Sequence, residues 1–584
     1  MDLQNRDVTA REHRWNLAPP PDVPLVNQLA KEINVSPVIA QILIRRGIDT
    51  YDKARSFFRP DLSQLHDPFL MDGMDRAVDR LAKALANREA VMIFGDYDVD
   101  GTNGAAMLYL FLRQLGVPTN RLFYHIPDRI KEGYGVSRFG IDRAKEYGAS
   151  LLFTVDCGIT AKEQVEYAKS LGLDVIICDH HEAGDDLPKA CVVLDPLKPG
   201  DGYPFKYLCG TGVAFKLMQG FARSRKEEES VYSYVDFVTL ATVADIVPLI
   251  GENRTLVKFG LSRINSDPRP GLRALIESAG LSLGKLTSGQ IVFVIAPRNN
   301  AVGRLGDAMR AVRLLTAEDP KTAGELARVL EEENRNRRKI DEETFLHAQE
   351  LVENYLDLEN DAAIILHQDK WHPGVIGIVA SRLVEKYYRP TIMMTTVNGV
   401  ARGSARSVAG FDIYQALKRV EDKLVQFGGH KYAAGLAVQL DRIEEFREAF
   451  NAVVKEFLSE ELLVREITID AEIDLADLTP RFRRILGEFA PFGPQNQRPV
   501  FLARSVEVLG ASRIVGKNHL RFKVRKNGHV YDAIGFGLGD LKDRLKNRID
   551  IVFAVDETEV RGSASNGDTF PQLKVKDFRQ SVVN

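Results

Sequence analysis

Short apolar segments alternate with helix-like segments between residues 91 and 194, and this alternation constrains the fold more than any other feature. Four of the apolar segments have the length and composition of buried strands: Val91–Gly95, Leu151–Val155, Val175–Cys178 and Cys191–Leu194. Strands joined by helical crossovers run parallel, and helices cover both faces of the sheet that they form. The sequence therefore predicts an α/β domain built on a parallel sheet.

Acidic residues directly follow three of these strands. The first strand runs into Asp96-Tyr97-Asp98-Val99-Asp100-Gly101, the second ends at Asp156, and the third ends at Asp179-His180-His181. Because open parallel sheets bind ligands at the carboxyl ends of their strands, we expect these side chains to converge. Neighbouring carboxylates raise one another's pKa unless a cation neutralises them. Carboxylates with an imidazole suit Mn²⁺ or Mg²⁺, and two such ions can activate water against a phosphoester.

Turn formation and calcium binding account for these acidic residues less well. A single Asp after a strand is commonly a turn residue or a helix N-cap, but here three strands in succession end in acid. Asp96-x-Asp98-x-Asp100-Gly101 also matches the start of an EF-hand calcium loop. That loop needs a preceding helix and a Glu at its twelfth position, where this chain has Met107. The motifs of zinc proteases, P-loop enzymes and serine hydrolases are absent from the sequence.

Composition is typical of a globular protein that lies inside the cell. Hydrophobic residues make up 45% of the 584 residues, and the formal net charge is −3. The sequence has no stretch of about 18 apolar residues for a membrane helix, and residues 1–7 lack the apolar core of a secretory signal. The four cysteines show no C-x-x-C spacing, which indicates reduced thiols. We therefore expect a cytoplasmic protein with several domains.

Changes of pattern along the chain predict five segments. A helical lead-in with a Pro-rich break covers residues 1–75, and the domain with the parallel sheet covers residues 76–316. Residues 317–360 are highly charged with opposite charges at helical spacings, which predicts a helical connector. A second α/β unit covers residues 361–460, and the short strands of residues 461–584 suit a small β-barrel.

The order of the acidic motifs resembles that of the DHH phosphoesterase superfamily. Asp98-x-Asp100, Asp156, Asp179-His180-His181 and Asp245 follow one another as the motifs of that superfamily do. Further runs are similar to its single-strand-specific exonucleases; these are Asp96–Gly101, Val243–Pro248, Gly303–Asp307, Trp371–Ala380 and Gly428–His430. The resemblance covers residues from about 70 to the end. It implies a parallel-sheet DHH domain, joined by a long helix to a smaller α/β DHH-associated domain, plus a C-terminal β-barrel of the OB-fold type.

The resemblance also implies a catalytic site with two divalent metal ions. Its ligands would be Asp98, Asp100, Asp156, His180 and Asp245, with Asp156 bridging the ions. Asp179 and His181 would orient ligands or contact the scissile phosphate. This chain has Phe94 where many members of the superfamily carry a His, so Asp96 is a candidate replacement ligand.

Candidate substrate-binding residues lie in the second α/β unit, at the cleft and in the barrel. Arginine forks bind phosphate oxygens, while Gly and Ser let backbone amides approach; such positions are Arg402, Ser404, Arg406, Gly428, Gly429 and His430. Arg298 and Arg304 are candidates at the cleft, the alternative being ion pairs with the acidic cluster. In the barrel, Lys517, Arg521 and Lys523 would track a nucleic-acid backbone while Phe522 stacks a base, unless Phe522 belongs to the core.

The function expected from these features is a metal-dependent 5′-to-3′ exonuclease that hydrolyses single-stranded DNA to mononucleotides in recombination and repair. The polarity and the preference for DNA come from the resemblance alone. The alternatives are a small-substrate phosphodiesterase or pyrophosphatase of the same superfamily, and a non-catalytic scaffold that binds single strands. The resemblance suggests a monomer whose partners are a RecQ-type helicase and a single-strand-binding protein.

Overall fold

The computed structural model describes residues 13–184, 186–358, 360–559 and 569–581. Residues 1–7, which carry the expectation about a secretory signal, lie outside this part of the chain. The chain divides into two compact units, of which the larger comprises residues 62–463. The smaller unit combines the residues up to 61 with those from 464 onward.

Over its described residues, 13–61, the N-terminal segment has one strand and three α-helices. They are β1 (His13–Leu17), α1 (Val23–Glu32), α2 (Pro37–Arg45) and α3 (Tyr51–Phe58). Each helix begins after a residue whose side chain accepts a hydrogen bond from a backbone N–H in the first turn, namely Asp22, Ser36 and Thr50. These side chains replace hydrogen bonds that the first turn of a helix cannot make internally, so the sequence itself sets where each helix starts.

The larger unit begins with the predicted parallel sheet, which has five strands in the order β3-β2-β4-β5-β6. The strands are β2 (Ala90–Gly95), β3 (Leu122–His125), β4 (Ala149–Val155), β5 (Asp174–Cys178) and β6 (Val192–Leu194). The helices around them are α4 (Met74–Ala86), α5 (Val99–Gln114), α6 (Arg138–Glu146), α7 (Lys162–Ser170), α8 (Gly210–Ser224), α9 (Val235–Ala244), α10 (Gly251–Ser266) and α11 (Pro270–Ser278). Four of the five strands are those predicted. The sequence pattern missed β3, a four-residue edge strand that is only partly buried.

Alternate residues of the interior strand β2 face two separate hydrophobic clusters. Val91 and Ile93 pack into the cluster on one face, and Met92 and Phe94 into the cluster on the other. Burial on both faces explains why the strands are continuous apolar runs without the polar alternation of a half-exposed sheet.

A long helix leads from this domain to the second α/β domain. Before it come α12 (Ser288–Gln290), a π-helical turn over Ile291–Ile295, α13 (Ala296–Leu305) and α14 (Met309–Leu315). The long helix, α15 (Pro320–Tyr355), has 36 residues, and its N-cap Asp319 accepts from the Thr322 N–H. At 1.5 Å per residue it is about 54 Å long. It lies within the predicted connector.

The second domain has a mixed sheet with the strand order β10-β11-β9-β8-β7. Only the β7–β8 pair is parallel. Its elements are β7 (Ile364–His367), α16 (Ile376–Tyr387), β8 (Thr391–Val397), β9 (Val400–Arg406), α17 (Ile413–Lys418), β10 (Gln426–His430), β11 (Ala433–Gln439) and α18 (Ile443–Phe457). Buried apolar residues at alternate positions of β9, such as Ala401 and Ala405, leave the intervening side chains on the opposite face.

The smaller unit is built around a closed barrel of five strands, β14-β15-β16-β18-β17, in which β17 pairs back onto β14. Its elements are β12 (Arg465–Ile469), β13 (Ala471–Glu472), α19 (Pro480–Gly487), β14 (Phe501–Val515), β15 (His519–Lys526), β16 (His529–Gly535), β17 (Arg548–Glu559) and β18 (Thr569–Gln580). This strand order is that of an OB fold, and it confirms the predicted fold class.

The N-terminal segment packs onto this barrel. β1 pairs in parallel with β12, so that Trp15 lies opposite Ile467. Leu29 and Ile39 belong to the same buried cluster as the barrel residue Phe501. Residues 13–61 therefore share a core with residues more than 400 positions away, a packing that the sequence pattern of a lead-in does not reveal. The division into five segments with the stated boundaries stays a prediction.

In the described residues, none of the helices combines the length and apolar character needed to cross a bilayer.

A buried ion pair joins α8 to α10 beneath the parallel sheet. Lys216 Nζ lies 2.6 Å from Glu252 Oε1, and both side chains are at most 1% exposed. The Glu252 carboxylate also accepts from the His66 N–H (2.7 Å) and from the Tyr203 hydroxyl (2.6 Å). These contacts fasten the segment before α4 to the helices of the domain.

We predict that Lys216→Met lowers the free energy of unfolding of the larger unit by about 3–5 kcal/mol, because it leaves the Glu252 carboxylate buried without its cation. Urea unfolding followed by tryptophan fluorescence and circular dichroism measures the change. The double variant Lys216→Met, Glu252→Gln removes the unpaired charge and should recover part of the loss. A double variant that is less stable than Lys216→Met would contradict this account.

Candidate metal centre

The first acidic motif begins where β2 ends and α5 starts. Asp98 is the N-cap of α5, and its Oδ1 accepts from the N–H groups of Asp100 (2.9 Å) and Gly101 (3.1 Å). A Cβ at Gly101 would lie 2.2 Å from the backbone nitrogen of Asp96, so only glycine allows the chain to fold back this closely. The spacing of Asp96-x-Asp98-x-Asp100-Gly101 therefore allows the tight turn and also positions the three carboxylates.

The carboxylate of Asp100 is held by the N-terminus of α8. Its two oxygens accept from the N–H groups of Gly210 (2.6 Å) and Thr211 (2.7 Å), and the Thr211 hydroxyl donates to the Asp100 carbonyl (2.7 Å). The first N–H groups of a helix have no partner within the helix and carry partial positive charge. An element about 110 residues further along the chain therefore fixes this carboxylate in place.

His180 lies at the centre of three carboxylates. Its Nε2 is 3.1 Å from Asp156 Oδ1, 3.7 Å from Asp100 Oδ2 and 3.7 Å from Asp245 Oδ2. Three sets of side chains each bring one possible ligand atom within 4.8 Å of the others. The sets are Asp156, His180 and His181; Asp100, His180 and Asp245; and Asp96, Asp98 and Asp156. Asp156 and His180 each belong to two of them, so these two side chains lie where the sets meet.

The electrostatics of this cluster favour a bound cation. Burial, reinforced by neighbouring carboxylates, raises the pKa of Asp96, Asp98, Asp156 and Asp245. Asp96 Oδ1 is buried without a hydrogen-bond partner. A buried carboxylate oxygen with no donor is unfavourable unless a cation or water meets it. The donor set of carboxylate oxygens and one imidazole fits Mn²⁺ or Mg²⁺.

Asp179 and His181 form a second pair beside the cluster. Asp179 accepts from His181 Nδ1 (2.7 Å) and from the Ile159 N–H (2.9 Å). Burial alone would raise the pKa of Asp179, but its hydrogen bonds and the charge of His181 outweigh burial and lower it. Burial likewise opposes the charge on His181, yet the hydrogen bond to Asp179 raises the pKa of His181 to about 9. Its Nε2 lies 3.3 Å from the hydroxyl of Tyr134.

Phe94 does not reach the cluster. It is fully buried, and its ring packs 5.3 Å from the ring of His125 in the core on one face of the sheet. Asp96, two residues later, lies within ligand distance of Asp98 and Asp156. The chain therefore has a carboxylate near the place of the absent imidazole.

Arginines from both domains lie in the same cleft. Arg304 Nη1 donates to the Gly374 carbonyl (3.0 Å), which joins α13 to the loop before α16. Burial, with the nearby charges of Arg129, Arg337 and Arg406, lowers the pKa of Arg304 to about 10. Burial and Arg129 also lower the pKa of Arg406. Among the described residues, neither Arg304 nor Arg406 pairs with a carboxylate, so this part of the cleft is suited to an anion.

Strand β9 and the edge strand β10 carry the other predicted residues of this domain. Arg402, Ser404 and Arg406 occupy alternate positions of β9, opposite to the buried Ala401 and Ala405. On β10, Gly428, Gly429 and His430 are exposed. The His430 ring lies 6.5 Å from the His181 ring and nearly parallel to it, at 16°. The structure therefore brings the Gly-Gly-His run next to the acidic cluster.

Arg298 does not face the substrate cleft as predicted. Its guanidinium is buried, with Nε 2.5 Å from Glu331 Oε2 on α15 and Nη1 2.6 Å from the Val294 carbonyl. The alternative of an ion pair with the acidic cluster is wrong as well, because the partner carboxylate lies on the connecting helix. Arg298 fastens α13 to α15.

The structure places Phe522 in the barrel core, which is the alternative to base stacking that the sequence left open. The strand β15 alternates between buried and more exposed residues, and Phe522 is on the buried side at 2% exposure. Its ring packs against Phe578 in the barrel core, so it has no free face for a base. Arg521 and Lys523 point outward as expected, and Lys517 lies in the exposed turn before β15.

The sequence analysis missed an exposed aromatic residue on the outer surface of the barrel. Phe536, directly after β16, is 53% exposed and packs edge-on against His519 at 5.1 Å. On the neighbouring strands, Arg513 lies directly opposite Arg521. Like charges at opposed positions of a sheet repel and therefore favour an anion between them. The sequence did contain a signal for this residue, since an aromatic residue directly follows a strand in which buried and exposed positions alternate.

Family models match three parts of the chain. The model described as the DHH family, N-terminal domain, matches residues 90–242, the DHHA1 domain matches residues 360–456, and the RecJ OB domain matches residues 469–577. The single-stranded-DNA-specific exonuclease RecJ of Bacillus subtilis is 37% identical over 577 residues, which are 98% of this chain and 71% of that protein. The chain belongs to the RecJ family.

Within that family, a Thermus thermophilus crystal structure of RecJ in complex with Mn²⁺ is 30% identical, with a TM-score of 0.82 over 98% of this chain and 80% of that one. The corresponding complex with Mg²⁺ has a TM-score of 0.77 at 29% identity, over 98% and 79% of the two chains.

We predict that Gly210→Ala disrupts the metal centre of this RecJ-family protein. A Cβ at Gly210 would lie 2.6 Å from the Cα of Asp156, so that α8 or Asp156 must move and the hydrogen bonds to Asp100 are lost. We expect at least a tenfold weaker affinity for Mn²⁺, measured by isothermal titration calorimetry.

Gly212→Ala on the same helix is the matched control, because its Cβ would only touch Leu208 at 3.4 Å. Equal Mn²⁺ affinity of the Gly210→Ala variant and the unmodified protein would contradict the proposed role of this close approach.

Proposed function

We propose that the protein is a metal-dependent exonuclease that degrades single-stranded DNA from its 5′ end to mononucleotides. The observation that carries the proposal is a buried cluster of carboxylates with raised pKa, facing arginines that have no acidic partner within the same unit. The first group suits cations and the second suits phosphate. The RecJ relative from Bacillus subtilis is named a single-stranded-DNA-specific exonuclease.

In this proposal the metal ligands are Asp98, Asp100, Asp156, His180 and Asp245, with Asp96 as an additional candidate. Mn²⁺ or Mg²⁺ ions, when bound, supply Lewis acidity and an activated water for hydrolysis of the phosphodiester. The protein places the ligands before any ion arrives, since the α8 N-terminus holds Asp100 and the N-cap geometry holds Asp98. Such preorganisation lowers the reorganisation needed for catalysis.

Asp179 and His181 would orient ligands or contact the scissile phosphate, with Asp179 holding His181 in place. Because His181 Nδ1 is engaged with Asp179, a ligand would meet its Nε2, which contacts only the Tyr134 hydroxyl at 3.3 Å among the described residues. His430 lies nearly parallel to that ring and brings the exposed backbone of Gly428 and Gly429 with it. Several donors directed at one oxyanion stabilise the additional negative charge of the transition state.

The unpaired arginines support cleavage from a 5′ end. A terminal phosphate carries more charge than a phosphodiester and can accept bidentate hydrogen bonds from guanidinium groups. Arg304 and Arg406 lie in the cleft with Arg129, and Ser404 is on the same face of β9 as Arg406. We assign these residues to the 5′-phosphate of the strand, which sets the direction of degradation.

The barrel would provide a further binding surface for the strand. Its strands β15 and β16 correspond to the surface with which OB folds bind oligonucleotides. Arg513, Arg521, Lys523 and Lys517 provide positive charge there, and Phe536 with His519 provides an aromatic surface for a base. Such contacts carry no base information, so binding should not depend on sequence. A small-substrate phosphodiesterase would have no use for this surface.

The wider biological setting is also part of the proposal. A RecQ-type helicase and a single-strand-binding protein are the proposed partners, because an enzyme restricted to unpaired strands depends on unwinding. We propose that the protein is a monomer and acts in the cytoplasm in recombination and repair; the four free cysteines are consistent with a reducing compartment.

The test of the activity uses oligonucleotides labelled at one end. The unmodified protein with Mn²⁺ should release labelled mononucleotide at once from a 5′-labelled single strand, and only at late times from a 3′-labelled one. Asp156→Ala should reduce the rate at least a thousandfold while retaining most of the strand affinity, because Asp156 belongs to two ligand sets. Asp142→Ala, at an exposed carboxylate on α6, is the control. Full turnover by Asp156→Ala, or early release from the 3′ label, would contradict the proposal.

The barrel surface is tested by strand affinity. Phe536→Ala should weaken binding of a long single strand about tenfold, since stacking contributes about 1–3 kcal/mol per base. Fluorescence anisotropy with a labelled oligonucleotide measures the change, and cleavage of a dinucleotide should be unaffected. Tyr51→Ala, at an exposed aromatic residue of the same unit on α3, is the control. Unchanged affinity of the Phe536→Ala variant would remove this residue from the binding surface.

A further inference from the structure

Ile246 has an unfavourable backbone conformation directly after a residue of the acidic cluster. Helix α9 ends at Ala244, Asp245 is its C-cap, and Ile246 follows with φ of 61°. This left-handed position after a helix is usually occupied by glycine, because a Cβ there meets the backbone. A β-branched residue is the least suited to it, so the conformation persists against a local free-energy cost.

The side chain of Ile246 does not offset this cost by burial. It is 60% exposed, more than its partly buried neighbours Asp245 and Val247. The preceding Asp245 has its carboxylate 3.7 Å from His180 Nε2. Backbone strain of this kind clusters at active sites and ligand contacts, and Ile246 directly follows a residue of the acidic cluster.

We propose that Ile246 packs against the deoxyribose of the nucleotide whose phosphate is cleaved, and that it contributes to the preference for DNA over RNA. This inference rests on the proposed exonuclease function. Consecutive Cα atoms are 3.8 Å apart, so Ile246 lies beside Asp245, one of the proposed ligands of the metal ions that would engage the scissile phosphate. The sugar is bonded directly to that phosphate, whereas the base lies further away.

An aliphatic side chain against the sugar discriminates between the two nucleic acids. It packs favourably on the C–H face of deoxyribose, but it leaves a 2′-hydroxyl without a hydrogen-bond partner where water is excluded. The contact does not involve the base, so it is compatible with degradation that is independent of sequence.

Lys226 provides a matched control for the backbone conformation. Helix α8 ends at Ser224, Arg225 is its C-cap, and Lys226 follows with φ of 63°, the same arrangement as at Ile246. Its side chain is exposed. The 15-residue helix is about 22 Å long, and its opposite end at Gly210 contacts Asp100, so Lys226 is remote from the cluster.

The experiment compares Ile246→Gly, Ile246→Val and Lys226→Gly on two substrates. One is a 5′-phosphorylated DNA oligonucleotide, and the other differs only by a ribonucleotide at its 5′ end. Both glycine variants should raise the thermal unfolding midpoint, because they relieve the left-handed conformation. Ile246→Gly should lower kcat/KM on the DNA substrate about tenfold, as expected for loss of one aliphatic contact. Its loss on the ribonucleotide substrate should be clearly smaller. Lys226→Gly should retain the activity and discrimination of the unmodified protein, and Ile246→Val, which keeps most of the aliphatic side chain, should lose less activity on the DNA substrate than Ile246→Gly.

Three outcomes would overturn the inference. The first is full activity of Ile246→Gly on DNA, and the second is an equal loss of kcat/KM on both substrates. The third is a loss of kcat/KM accompanied by weaker Mn²⁺ binding in calorimetry, which would mean that the substitution acts through Asp245. Failure of the unmodified protein to degrade the DNA substrate would instead refute the proposed function, so the two results are distinguishable.

Discussion

Mutual repulsion among buried carboxylates is the constraint on which the rest of the larger unit depends. Asp96, Asp98, Asp156 and Asp245 all have raised pKa values, because burial and neighbouring acids oppose their charge. Such a cluster stays ionised when rigid elements fix each carboxylate and a cation neutralises the group. The parallel sheet and the helix N-termini above it provide that rigidity. Arg304 of the same domain and Arg406 of the second domain lie in the same cleft.

The fold keeps the arginines of the cleft apart from the acidic cluster, although opposite charges attract. Arg304 and Arg406 are close enough to the acidic cleft to belong to it, yet neither has a carboxylate partner among the described residues. Arg298, by contrast, is neutralised by Glu331 and has a structural role. The difference identifies which arginines are available to a phosphate. A metal-bound acidic cluster beside free guanidinium groups is complementary to a phosphodiester and its terminal phosphate.

The smaller unit shows how alternation along a strand assigns roles. Residues 520, 522 and 524 of β15 are buried, which makes Phe522 a core residue and leaves Arg521 and Lys523 outside. The aromatic residue that is exposed, Phe536, lies beyond the next strand. Its position beside His519 depends on the register between β15 and β16, which fixes which residues of the two strands are neighbours.

Local sequence determined the parallel sheet, the acids at its strand ends and the long connecting helix, because apolar runs, caps and turn residues act over a few positions. The order of the acidic motifs was sufficient to predict the family and the candidate ligands. Only the tertiary structure decided that the α8 N-terminus holds Asp100, that Arg298 binds Glu331, and that the N-terminal segment shares the barrel core. These contacts join residues that are tens to hundreds of positions apart, and packing between whole elements, which no local pattern encodes, selects such pairs. The strain at Ile246 belongs to the same group, since a backbone dihedral at the end of a helix is set by where the following chain must go.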